Sequence, residues 1–448
     1  MTEESKKDNI AAEPEAEAKK TVSNVFRNRN YRLVFFGALV SELGAVLYSF
    51  AVSFYILEIS GNNAFLQGVY LALCSVTYLL FTPIGGVLGD RFNRGMIMFV
   101  CDYVKGGLIL SAILFMILFP QNGAHIWILF IIGILGNAVS GIFSPAAGAL
   151  LPNIVEEDQL QQGNAYFTVR GSFQNIFGVI LAGILYAAMP ITWLFLVVGI
   201  CYVLSGVSEM FIRYEHVRPK EQLTVRVALL DMKDGIRYLK EQKAIVAMLA
   251  AILFINFFFH PIGGNFIPYF VKTDIAEAPS YLFDKVLTPE LWSSVISVLF
   301  GVSSLIGAVL LSAKKQEDKV GLKTALRLLI VALAMVVLTF SYWLLVERGV
   351  SLNVFLIVFC GCCLLIGFMI SCINIPINTV LMRVVERDKL SKVTSIISIL
   401  SQGLVPIASV LAGTVLQYLG STVLLLVCSI GFTAASLMLL FNKNAREI

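Results

Sequence analysis

The residues with chemistry to offer are the few charged and amide side chains set inside stretches otherwise greasy enough for lipid. Glu42 stands in the apolar run 33–57, Asp102 and Lys105 in 96–119, and Arg170 in 163–188. A charge surrounded by hydrocarbon is costly, so each needs a partner, a wet cavity or a task. Glu42 follows Arg32 by ten residues, about 15 Å along a helix rising 1.5 Å per residue, which places it near the bilayer midplane. A carboxyl at that depth suits proton coupling or recognition of a cation; the competing role is a Glu held by polar neighbours to fix helix packing. Asn256 and His260, four apart in 244–271, share a helix face, Asn265 follows Gly263-Gly264, and Asn374 and Asn378 repeat the spacing in 353–381. Glu42, Asn256, His260, Asn374 and Asn378 form the expected substrate- and proton-binding set. Interhelical hydrogen bonding, worth about 0.6 kcal/mol on average, is the alternative for the amides, and a lone histidine is commonly structural.

The elements that position these groups follow from composition. Of 448 residues, 58% are hydrophobic and only 14% are Asp, Glu, Lys or Arg, against about 25% in soluble domains. The mean hydropathy is +0.84. So few charges cannot cover a soluble surface of this size, whereas lipid solvates an apolar exterior. All eight cysteines lie in apolar runs, and the cluster Cys360-Gly-Cys-Cys363 lacks a His or acidic neighbour, so packing is expected rather than metal binding or disulfides. The net charge of +4 implies no nucleic acid.

A spanning helix needs about 20 largely apolar residues. Twelve such stretches occur, near 33–57, 64–89, 96–119, 125–147, 163–188, 191–212, 244–271, 291–313, 324–346, 353–381, 393–417 and 420–441. Residues 1–25 are polar, without the apolar core of a signal peptide, and read as a disordered tail. The predicted division is a six-helix bundle over 26–212, a linker over 213–243, a second bundle over 244–442 and a short tail over 443–448. Val225–Leu239 carries apolar residues at helical spacing and predicts an amphipathic helix along the membrane surface. Twenty-eight of the 33 Lys and Arg fall in the tails and in alternate loops. The positive-inside rule therefore places both termini and the linker in the cytoplasm of a cell-membrane protein.

The halves look duplicated. Ser140-Gly-Ile-Phe-Ser-Pro145 ends the fourth stretch and Ser371-Cys-Ile-Asn-Ile-Pro376 falls correspondingly in the tenth; Glu157-Asp158-Gln-Leu160 pairs with Arg387-Asp388-Lys-Leu390, and Leu181-Ala-Gly183 with Leu411-Ala-Gly413. Three matches about a basic linker predict a six-plus-six repeat.

Between the second and third stretches stands Gly86-Val-Leu-Gly-Asp90-Arg91-Phe-Asn-Arg94-Gly95. This resembles the Gly-x-x-x-Asp-Arg-x-Gly-Arg-Arg loop of the major facilitator superfamily, with Asn93 and Gly95 as the departures. The loop's expected working is a cytoplasmic latch: Gly86 lets two helices approach closely, Asp90 accepts from a neighbouring helix N-terminus, and Arg91 and Arg94 pair with carboxylates. Asp102, Lys105 and Arg170 are read as parts of the same latch, with Glu156 and Glu157 as possible partners. A sharp turn serving topology alone is the plainer reading. Asn28-Arg-Asn-Tyr-Arg32, Ser41-Glu-Leu-Gly44, Asp102-Tyr-Val-Lys105 and Leu151-Pro-Asn-Ile-Val-Glu-Glu-Asp-Gln-Leu160 narrow the resemblance to the exporter branch that includes macrolide efflux proteins and the enterobactin exporter. Drug antiporters of the superfamily often carry a Gly-Pro-rich motif in the fifth span; here the span reads Phe177-Gly-Val-Ile-Leu-Ala-Gly183, without Pro.

The resemblance implies an all-α membrane protein with twelve transmembrane helices in two pseudo-symmetric six-helix bundles. In that fold the first, seventh and tenth spans face a central cavity. It further implies a secondary transporter exporting a small amphipathic solute, drug-like or siderophore-like, with protons as coupling ion. An importer or lysophospholipid flippase on the same fold is the alternative; a channel and a non-transporting receptor stand further off. Gly321-Leu-Lys-Thr324 lacks the spacing of a nucleotide-binding loop, so neither ATP hydrolysis, enzyme activity, a cofactor nor a metal is expected. Solute identity, direction and oligomeric state are not legible.

Overall fold

The computed structural model describes residues 24–120, 122–156, 159–214, 243–312, 319–384 and 399–442. Among these the chain is helical, without strands. The first bundle comprises α1 (Arg29–Ile59), α2 (Ala64–Arg91), α3 (Arg94–Leu118), α4 (Asn122–Gly148), α5 and α6 (Ile191–Met210). Here α5 is a composite of Leu160–Phe173, a π-turn at Gln174–Gly178, and Val179–Ala188. The second bundle comprises α7, α8 (Pro289–Ser312), α9 (Val320–Arg348), α10 (Leu352–Val384), α11 (Ile399–Leu419) and α12 (Ser421–Phe441). Helix α7 runs through Lys243–Pro261, a π-turn at Ile262–Phe266, Ile267–Phe270 and a second π-turn at Val271–Ile275.

Eleven of these helices are long and apolar enough to cross a membrane among the described residues, and α7 completes the expected twelve as a continuous but interrupted helical path. The predicted amphipathic helix at 225–239 and the motif residues 387–390 lie outside the described residues.

Local chemistry sets the ends. Asn28, Asn63 and Asn93 cap α1, α2 and α3, each side-chain oxygen accepting from backbone N–H groups of the first turn, which otherwise lack partners. Gly349 ends α9 at φ 64°, a left-handed conformation that costs glycine least. Leu80, Leu114, Ile357 and Ile430 point outward and are at least 60% exposed, as expected of side chains solvated by lipid.

Packing repeats between the halves. In the first bundle α2 lies on α4, α3 on α6 and α1 on α6; in the second, α8 lies on α10, α9 on α12 and α7 on α12. Advancing each first-bundle helix by six reproduces the second set. Two seams join the bundles, α2 with α11 and α5 with α8, and the same exchange turns one seam into the other. We call the face where α1 begins proximal and the opposite face distal.

Both seams close at glycine. A methyl placed on Gly413 of α11 would lie 2.5 Å from the Ala64 carbonyl oxygen and 3.1 Å from Gly68 Cα of α2. A methyl on Gly183 of α5 would collide with the Ser294 hydroxyl of α8, which donates to the Val179 carbonyl at 2.8 Å. Gly183 and Gly413 are the paired glycines of the sequence repeat, so the duplicated motif is a seat for the opposite bundle. Small residues at helix crossings gain dispersion contacts that larger ones forbid.

Gly413→Leu should therefore wedge α2 from α11. With spin labels at Asn62, in the turn that leads into α2, and at Tyr418, near the distal end of α11, the interlabel distance should lengthen by several ångströms. Gly361→Leu, whose added side chain meets open space, should leave it unchanged. An unaltered distance in the Gly413 variant would mean that this contact does not set distal closure.

Candidate functional site

The signature loop is held by helix ends. Arg94 stands at the first position of α3, beside the C-termini of α2 and α4. Its Nε donates to the Gly89 carbonyl at 3.2 Å, its Nη1 to the Ala149 carbonyl at 2.7 Å, and its backbone N–H to the Tyr214 hydroxyl at 2.8 Å. A guanidinium suits that place, because helix C-termini present unsatisfied carbonyls and partial negative charge. Arg91 is exposed, and the Asp90 side chain lies outside the described residues. One detail of the expected latch changes. Gly86 does not make the close helix approach; a methyl there would meet nothing within 4 Å. Gly85 makes it instead, its methyl position lying 2.6 Å from Ile142 Cα and 2.7 Å from the Gly141 carbonyl oxygen. Adjacent helical residues face about 100° apart, so the motif's first glycine looks away from α4.

Arg170 and Glu42, expected in different roles, meet. Arg170 Nη2 donates to Glu42 Oε1 at 2.8 Å, with side chains 12% and 31% exposed. The Arg170 guanidinium also lies 4.7 Å from the Phe167 ring centre. The pair spans α1 and α5 at the wall of a cavity of about 420 Å³, lined also by Lys105, Ser41, Ser140 and Asn164. A proton or a charged solute arriving at Glu42 would compete with Arg170 for the same oxygen.

A second group of ionisable side chains adjoins that wall. Asp102 is fully buried on α3, and Lys105, one turn along, is 9% exposed. The Lys105 Nζ stands 4.9 Å from the Phe143 ring centre and 5.3 Å from that of Tyr202. Glu209 of α6, only 1% exposed, packs against Gly37 of α1. Sequence reasoning passed over Glu209. Its signal was present, since it is an ionisable residue near the end of an apolar stretch, four residues after Ser205 on the same helix face.

The amides of the second bundle have mixed fates. The His260 ring nitrogen Nδ1 is 3.4 Å from the Ser409 hydroxyl, and buried Asn265 donates from Nδ2 to the Ser409 carbonyl at 3.3 Å; both tie α7 to α11. Asn256 is half-buried and Asn374 exposed, while the Asn378 side chain lies outside the described residues. A separate cavity of about 460 Å³ opens between α5, α7, α8, α9 and α10, its polar lining consisting of Ser172, Asn175, Ser297 and Ser304. None of those four was singled out from the sequence, because Ser and Asn at helical spacing in apolar runs are too common to stand out.

At the distal face a further cluster joins the bundles. Lys272 of α7 contacts Glu58 of α1 at 3.1 Å and Glu290 of α8 at 3.2 Å, and the Tyr186 hydroxyl of α5 donates to Glu58 at 3.0 Å. The Ala64 N–H donates to Gln417 across the α2–α11 seam at 2.9 Å.

Comparison with known proteins agrees with this architecture. The profile of the Major Facilitator Superfamily matches residues 34–409. The MFS-type transporter YkuC of Bacillus subtilis is 27% identical over 301 residues, a match covering 64% of this chain and 65% of that protein. Macrolide efflux protein A of Streptococcus pyogenes is 24% identical over 288 residues, 63% of this chain and 67% of that protein. The chain thus spans just under two thirds of the first relative's length and about two thirds of the second's. Among solved structures, a point mutant of the nucleoside transporter NupG superposes with a TM-score of 0.71 at 10% identity, covering 92% of this chain and all of that one.

The Glu42–Arg170 contact generates a prediction. Arg170→Gln should lower stability in detergent by about 1–3 kcal/mol, the scale of a charge-assisted hydrogen bond. Adding Glu42→Gln should then cost little more. Strictly additive losses in this double-mutant cycle would show that the two side chains do not act together.

Proposed function

This chain belongs to the major facilitator superfamily, and from that premise we propose that it exports a small amphipathic organic solute, drug-like or siderophore-like, in exchange for protons. The observation that carries the reading is the Glu42–Arg170 pair at a cavity wall. A proton reaching Glu42 cancels the attraction that holds Arg170, freeing α1 and α5 to change their relation. Solute entering from the other bundle would meet α5 on its opposite side. Alternating access then follows if the two bundles rock about the central cavity, the distal seams opening as the proximal side closes. Export fits the name of the macrolide efflux relatives, and the distal ion cluster around Lys272 fits an outer gate.

In this reading the proximal face is cytoplasmic and the membrane is the cell membrane. The support is the Lys and Arg bias of the proximal loops, including Arg91, Arg94 and Arg213.

Two measurements test the proposal. In intact cells, an impermeant maleimide should label Lys285→Cys directly and Arg91→Cys only after permeabilisation; the reverse pattern would invert the orientation. In everted vesicles, a solute screen with and without a collapsed pH gradient should find gradient-dependent uptake, cut at least tenfold by Glu42→Gln. Uptake indifferent to the gradient would remove the proton, and undiminished uptake by the variant would remove Glu42 from coupling.

A further inference from the structure

The two cavities differ in chemistry, and α5 divides them. Arg170 turns toward α1 and the charged cavity. Ser172 and Asn175, three residues apart and so on one helix face, line the larger cavity on the other side. Among the described residues, no side chain lining that cavity carries a formal charge. Its walls are chiefly apolar, with Phe259 and Phe300 at a centroid distance of 5.2 Å on one side and Phe359 on another.

Its shape comes from irregular backbone contributed by both bundles. Asn175 and Ile176 belong to the π-turn of α5, and Ile262 and Gly263 to the first π-turn of α7; all four line the cavity. Such turns widen a helix locally and recur at functional sites. Gly263 bares its backbone there, since a methyl at its Cβ position would meet nothing within 4 Å.

We infer that this cavity is the seat of the solute's apolar body, and that it selects an uncharged aromatic or alicyclic group over a cationic or anionic one of the same size. The inference rests on the transport reading and adds a substrate class to it. A volume of about 460 Å³ lies within the range of small-molecule pockets. Aromatic walls favour ring stacking, and Ser172, Asn175 and Ser297 offer hydrogen bonds to a neutral polar edge. An ion entering here would leave water without meeting an opposite charge, a loss that apolar contact does not recover.

The test uses one ring system in three charge states: 7-diethylamino-4-methylcoumarin, its 3-carboxylate analogue and a trimethylammonium analogue. They are titrated by fluorescence against the full chain in nanodiscs, with empty nanodiscs subtracted. The neutral coumarin should bind at least tenfold more tightly than either ion. Gly263→Leu should weaken it at least tenfold, while Gly361→Leu, also open but outside this cavity, should not. Asn175→Asp guards against mere misfolding, because a gain cannot come from damage: the trimethylammonium coumarin should rise to within about threefold of the neutral one. Equal binding of all three coumarins, or a binding pattern unmoved by both Gly263→Leu and Asn175→Asp, would overturn the inference. Accumulation of a charged coumarin in proteoliposomes up a pH gradient, with the neutral one excluded, would also overturn it while leaving the transport reading intact.

Discussion

The architecture turns on two close helix crossings. Where α11 crosses α2 and where α5 crosses α8, Gly413, Gly68 and Gly183 leave no room for even one added methyl. Lipid gives two apolar helices no hydrophobic reason to associate, so the bundles join where dispersion and a few hydrogen bonds are strong, at small residues. The described hydrogen bonds and ion pairs that cross between the bundles lie toward the same distal side, from Ala64–Gln417 to Lys272–Glu58. Closure at one end is therefore built from steric fit reinforced by charge.

The pseudo-symmetry of these contacts makes the asymmetry of the interior informative. The helix pairings of one bundle reappear in the other, while the ionisable residues are placed differently: Asp274 of α7, for instance, accepts from the Tyr342 hydroxyl of α9 at 2.9 Å. Glu42, Asp102, Lys105, Arg170 and Glu209 all stand on helices of the first bundle, while the described lining of the cavity bounded mostly by the second carries no charge. Asp102, Lys105 and Glu209 are buried among them, and burying such groups is costly unless they satisfy one another. Duplication supplies the frame, and divergence of the two halves supplies one compartment lined by charged side chains and one whose described lining carries none.

Helix α5 connects the two. Arg170 on one face holds Glu42, Asn175 on the other borders the uncharged cavity, and Gly183 near its distal end seats α8. The π-turn at Gln174–Gly178 contains Asn175 and lies between Arg170 and Gly183. A shift in this one helix is thus felt at the ion pair, the cavity and the seam together.

Much of this was written in one dimension. Hydropathy alone marks the spans, because crossing lipid demands length and apolarity whatever the neighbours are, and the observed helices match the expected stretches to within a few residues at most ends. The repeat was legible too, down to Gly183 and Gly413, since homologous packing sites keep homologous residues. What tertiary structure decided was direction around each helix axis. Depth along a span follows from counting, but azimuth depends on which neighbour packs where. Counting could not tell that Gly85 rather than Gly86 meets α4, that Arg170 turns to Glu42, or that Glu209 is buried against Gly37 of α1. Partnerships in a helical membrane protein are angular facts, and only the assembled bundles determine the angles.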